Sequence, residues 1–135
     1  MSAVELTAAI RNRTVSAREA LDAHLEQIES VNPAINAVVT LDADAARQAA
    51  RAADQRTMET DARELPLLHG LPMTHKDTHA TRGLRTTQGS PLFRDFVPQE
   101  DDLIIARLKA AGVVTTGKTN VPEFAAGSHT FNEVF

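Results

Sequence analysis

Cysteine is absent from the 135 residues, which removes disulfides, thiolate metal sites and a cysteine nucleophile together. A reducing, cytoplasmic setting is compatible with that composition. Basic clusters are missing as well. The net charge of -4 and a pI near 5.7 argue against a surface for nucleic acid or anionic membrane. No apolar run approaches a membrane span, and the opening MSAVELTAAIRNR has neither the basic start nor the apolar core of a leader, so a soluble protein is expected. No internal repeat and no low-complexity tract interrupts the chain. A length of 135 residues allows one domain at most, with a core of its own.

What is present begins with helices. Ser2 and Glu5 have capping-box spacing ahead of Leu6, Ala9 and Ile10. Ser16 and Glu19 repeat the device ahead of Leu21, Leu25 and Ile28, and Asn32-Pro33 is expected to end that second helix. His24 reads as a packing or surface histidine with no metal partner on its helix. Residues 35 to 41 read as a strand or extended segment. Asp42 then caps an alanine-rich helix to about Gln55, with Arg47, Arg51 and Arg56 facing water. Residues 57 to 66 look like a mobile polar linker.

Further on, residues 91 to 100 carry two prolines without a period and read as loop, with Phe93 and Phe96 anchoring it or lining a pocket. Glu100 or Asp101 starts a helix whose buried side is Ile104, Ile105, Leu108 and Ala111, and Gly112 ends it. VVTT, residues 113 to 116, is a β-branched strand. GKTN reads as a turn, VPEFAAG as a short helix started by Pro122, and SHTFNEVF closes the chain.

The organising stretch is His69 to Ser90, HGLPMTHKDTHATRGLRTTQGS. Leu71, Pro72 and Met73 lead into Lys76, and Gly83 and Gly89 follow, so a strand at about 71 to 76 and then an irregular loop are expected. On a strand, Thr74 and Lys76 share one face and His75 and Asp77 the other. Pointed into the protein, the Lys76 amine would be desolvated, which favours its neutral form and makes a general base available near neutral pH. At the strand's end it could instead simply pair with a carboxylate such as Asp77.

Three other patterns carry less. Gly112, Gly117, Lys118 and Thr119 match the phosphate-loop spacing G-x-x-x-x-G-K-T, but a helix precedes the first glycine, VVTT fills the loop and Pro122 follows closely. His69, His75, Asp77 and His79 crowd one segment without matching a metal-site spacing. Ser90, His75 and Asp77 make a poor triad, since triad members come from separate elements and Ser90 has no elbow motif.

Several motifs in order resemble the amidase signature family. GLPMTHKD is similar to its G-x-P-x-x-x-K-D, LRTTQGS to the T-T-x-G-S that follows, and DDLIIARLKAAGVVTTGKTNVPEFAAGS to its segment of aspartate, R-L-x-x-A-G helix, G-K-T-N and P-E-F-A. INAVVTLDADAARQAARAAD sits where the family's leading helices are expected. The departure is His75, at a position usually aliphatic.

The resemblance implies an α/β fold, α/β/α layered around a mixed twisted sheet and present here as its N-terminal part: leading helices in 1–60, then the Lys76 strand, loop, helix and strand in 61–135. It also implies a Ser/cis-Ser/Lys hydrolase of carboxylic amides, with Lys76 as the base, no cofactor and no metal. Gly127 and Ser128 would border the substrate site. The family's G-G-S-S-G-G type of segment, which carries the nucleophile and oxyanion donors, is not among these residues, nor is the bridging serine. They are expected beyond residue 135, with no amidase activity from these residues alone. The expected partners are a small-molecule amide and either the remainder of the amidase domain or a second copy in a homodimer, since a partial sheet leaves an open edge. Two alternatives stand beside this: a non-catalytic binding module, and one component of an amidotransferase that releases ammonia from glutamine for tRNA-linked amidation.

Overall fold

The computed structural model describes residues 1–135. Its first helices form where their caps are. Helix α1 (Ala3–Arg11) and helix α2 (Ala17–Ile35) each begin with the reciprocal pair that satisfies orphan amides: Glu5 N donates to Ser2 Oγ and Ser2 N to Glu5 Oε2, and Ser16 with Glu19 do the same. Strand β1 (Val38–Leu41) follows, and Asp42 then caps helix α3 (Ala43–Glu59) by accepting from Ala45 N at 3.0 Å.

Helix α2 runs past Pro33, against expectation. A proline in the last turn loses only one amide there, and Asn36 closes the helix in the left-handed region at φ 47°. Asn32 supplies the exit: its side-chain amide donates to Val38 O at 2.8 Å and its oxygen accepts from Val38 N at 2.7 Å.

The sheet has three strands in the order β1-β3-β2, where β2 is Pro72–Lys76 and β3 is Val114–Thr119. It is mixed: β1 runs antiparallel to β3, and β2 parallel. The sequence places a turn at GKTN, but Gly117, Lys118 and Thr119 continue β3. Gly117 is what lets them do so. A Cβ there would run into the carbonyl oxygen of Thr40, at the bulge where β1 and β3 shift register.

Helices α2 and α3 pack on one another and on the sheet. The core joins Ile10, Leu21 and Leu25 to Ala46, Ala50 and Val114, so the alanines of α3 serve as the small residues that permit close approach. Residues 57–66, expected as a mobile linker, are not one: α3 runs past Gln55 to Glu59, and the stretch after it is tied down. The Arg11 guanidinium donates to the carbonyls of Ala62, Leu65 and Pro66, Leu65 is buried, and Thr57 Oγ1 lies 2.9 Å from His69 Nε2.

Helix α4 (Leu103–Ala110) starts later than Glu100 or Asp101 suggests, and the residue at its cap position, Asp102, makes no capping bond. Asp102 instead accepts from Ala80 N at 2.8 Å, and Asp101 accepts from Arg82 N and Lys109 Nζ. Ile105 is buried as expected, whereas Ile104 is 47% exposed. The loop phenylalanines do not reach this core. Phe93 packs edge-on against Phe96 and Phe124, with centroids 5.7 and 6.2 Å away.

Candidate active site at the end of the central strands

Lys76 is the last residue of β2 and pairs in register with Thr119, while His75 pairs with Lys118. Paired residues of parallel strands project to one side, so His75 and Lys118 share a face and Lys76 and Thr119 the opposite one. The alternation expected along β2 holds: His75 and Asp77 are buried. Its consequence is the reverse of a buried catalytic amine. Lys76 is exposed, and the buried lysine is Lys118, with no accessible surface.

Lys118 Nζ donates to the His79 carbonyl, to Thr81 Oγ1 at 3.0 Å and to Thr86 Oγ1 at 3.1 Å. Those are all three of an ammonium's protons. Asp77 Oδ1 lies 3.9 Å from the same nitrogen and has no hydrogen bond of its own. Burial pushes the Lys118 ammonium down to about 8, against the opposing pull of Asp77 and then Asp102.

Asp77 organises the loop that follows. Its Oδ2 accepts from Thr87 N at 3.0 Å and Thr87 Oγ1 at 2.6 Å, its own N–H donates to Thr119 O, and its carbonyl accepts from Gln88 N. Gly89 has φ +66°, and a Cβ on it would meet Val121 O at 2.7 Å. The T-T-Q-G-S run is thereby laid against residues 121–123, where Ser90 Oγ donates to Glu123 Oε1 at 2.7 Å. Ser90, His75 and Asp77 therefore do not converge: each is spent on a different partner.

His75 Nε2 lies 3.0 Å from Thr115 Oγ1, and burial, then Lys118 and Lys109, push it down to about 4. His69 is turned towards Thr57 and Ala53 O, so the histidines of this stretch face different neighbours. No three of His, Asp and Glu gather in a group that could hold a metal ion. Gly127 and Ser128 are exposed and help line a depression of about 320 Å³ beside Pro122, Glu123 and Phe131, which Lys76 does not line.

Lys118 is the residue that sequence reasoning missed. Its signal was the β-branched run VVTT resuming at Thr119, interrupted only by a glycine and the lysine, which extends a strand as readily as it makes a turn. The phosphate-loop pattern falls with the same observation, because its lysine is buried in a strand.

Comparisons with known proteins agree with one another. The family model "Amidase" matches residues 19–135. A glutamyl-tRNA(Gln) amidotransferase subunit of Acidothermus cellulolyticus is 44% identical over 134 residues, 99% of this chain and 26% of that protein. Among solved structures, the inhibitor-bound form of a vestigial protein complex tied to the origins of an s-triazine catabolic enzyme superposes with a TM-score of 0.87 at 35% identity, over 94% of this chain and 28% of that one. A bacterial aryl acylamidase of the amidase signature family superposes at 0.84 with 26% identity, over 92% of this chain and 26% of that one. The chain thus spans about a quarter of the length of the relatives it matches. Matched by that family model over residues 19–135 and superposing on a solved member of the family, the chain belongs to the amidase signature family.

Proposed function

We propose that these residues are the lysine-bearing portion of a single amidase domain that hydrolyses carboxylic amide C–N bonds, with Lys76 as its base. The observation that carries this reading is the junction at Lys76–Asp77. The residue after the lysine is locked into the sheet and loop by hydrogen bonds from Thr87 and Gln88 and to Thr119, while the amine itself stands exposed at the strand end. It is held by its backbone and left approachable from outside. A lysine base must give up its charge, and the desolvation that favours this has to come from whatever packs over Lys76.

In the proposed reaction the neutral amine takes a proton from a bridging serine held by a cis peptide. That serine takes one from the nucleophilic serine, whose oxygen attacks the amide carbon. Backbone N–H groups hold the oxyanion, the relay returns the proton to the leaving amine, and water releases the acyl group. Residues 1–135 contain no Gly/Ser-rich segment of the family's type, and on this reading both serines are supplied beyond residue 135. Gly127 and Ser128 are proposed to border the amide.

The test uses the protein with its serine-bearing segment included. Lys76→Ala is expected to lower kcat for amide hydrolysis by about 10²–10⁴-fold with the circular dichroism spectrum unchanged, and Ser128→Ala to raise KM while sparing kcat. Full activity in the Lys76 variant would remove the base assignment.

A second reading has an observation of its own. The curated relatives at 44% and 42% identity are amidotransferase subunits, whereas the aryl acylamidase stands at 26%. On that reading the amide is glutamine and the released ammonia passes to a partner protein; on either reading the proposed setting is cytoplasmic. Ammonia release from glutamine exceeding that from simple amides would favour it.

A further inference from the structure

We propose that Lys118 is the positioning residue for Lys76, holding through its buried ammonium the turn on which the proposed base is mounted. This rests on the reading of Lys76 given above and adds a residue to it.

The connection is short and runs entirely through named atoms. Lys76 O accepts from His79 N at 3.1 Å, closing the turn directly after the strand. The carbonyl of the same His79 accepts from Lys118 Nζ, as does the hydroxyl of Thr81, which in turn donates to His79 O at 3.1 Å. The third proton goes to Thr86 Oγ1, one residue before the threonine that holds Asp77. One ammonium therefore ties both ends of the loop that leaves Lys76, and faces the otherwise unpartnered Oδ1 of Asp77 at 3.9 Å.

Burying a lysine completely carries a desolvation cost that an apolar side chain in the same place would avoid. Core filling alone does not explain it. What an ammonium supplies and a methionine cannot is three directed donors and a charge opposite a carboxylate. Both act on residues 77–86 and none on the helices that make up the hydrophobic core.

The experiment compares Lys118→Met with a core variant, Ile105→Ala, in the complete protein, each assayed well below its own Tm. Two readouts are taken. The first is amide hydrogen exchange at the positions bonded around the turn: His79, Asp77, Thr87 and Gln88. Lys118→Met is expected to speed exchange there at least tenfold while leaving the amides of α2 unchanged, and Ile105→Ala to spare the turn. The second is kinetic: Lys118→Met lowers kcat at least tenfold with KM within twofold, whereas Ile105→Ala leaves both near wild type.

Should Lys118→Met not fold, Thr86→Val removes one acceptor and is expected to give the same local exchange pattern to a smaller degree. Unchanged exchange at the turn in whichever variant folds overturns the proposal, as does wild-type kcat in that variant. If the wild-type protein hydrolyses no amide at all, the reading of Lys76 as a base fails, and the exchange result still decides whether Lys118 holds the turn.

Discussion

His75 shows how one residue's surroundings become a property of the whole molecule. It is 3% exposed and titrates near 4, where an ordinary histidine does so near 6.5, because burial and the ammonium of Lys118 both disfavour its charged form. Below about pH 6.5 the unfolded chain takes up a proton that the folded chain refuses. The stability contributed by a neutral His75 is therefore complete above that pH and lost as pH falls through about 4. Replacing it with valine is expected to remove on the order of 3 kcal/mol of the difference in unfolding free energy between the two ends of that window. Urea titrations of both proteins near each end measure it. Identical pH dependence would mean that the imidazole is not excluded from charging.

Among the helices and strands, local signals placed what local forces decide. The two capping boxes and the Asp42 cap opened α1, α2 and α3 where the sequence has them, because a cap satisfies amides three residues away and needs nothing distant. Where a local signal had a remote competitor, it lost. Asp101 looks like a helix cap and is instead engaged by Arg82 and Lys109. GKTN looks like a turn and is strand, because β1 crosses close to Gly117. Gly117→Ala should accordingly separate β1 from β3, costing about 1–3 kcal/mol or more. Faster exchange at Asp42 and Asn120, whose amides bond across that pair, is the accompanying signature. Wild-type stability would mean that the bulge can widen to accept a methyl group.

For the molecule as a whole, the sheet leaves β1 and β2 as edges, and apolar groups remain uncovered: Leu92 is 82% exposed, Phe131 76% and Phe124 48%. Residues 1–135 expressed by themselves are expected to associate. Sedimentation at two loadings tenfold apart should show average mass rising with concentration. A single monomeric boundary at both, with a cooperative melt at high temperature, would show that these faces need no cover. No helix is long and apolar enough to cross a membrane.

Motif order, the starts of α1, α2 and α3 and the face on which each residue of β2 lies are legible in the chain before it folds, since caps and strand alternation act over three or four residues. Which of two lysines would be buried is not. A parallel pairing sets Lys118 opposite His75, a glycine lets β1 close over the strand, and a loop of threonines and a carbonyl arrives from elsewhere in the chain to receive the ammonium. An amine can be taken out of water only where such oxygens already wait for it. Their convergence is a property of the folded chain and of no single stretch of it.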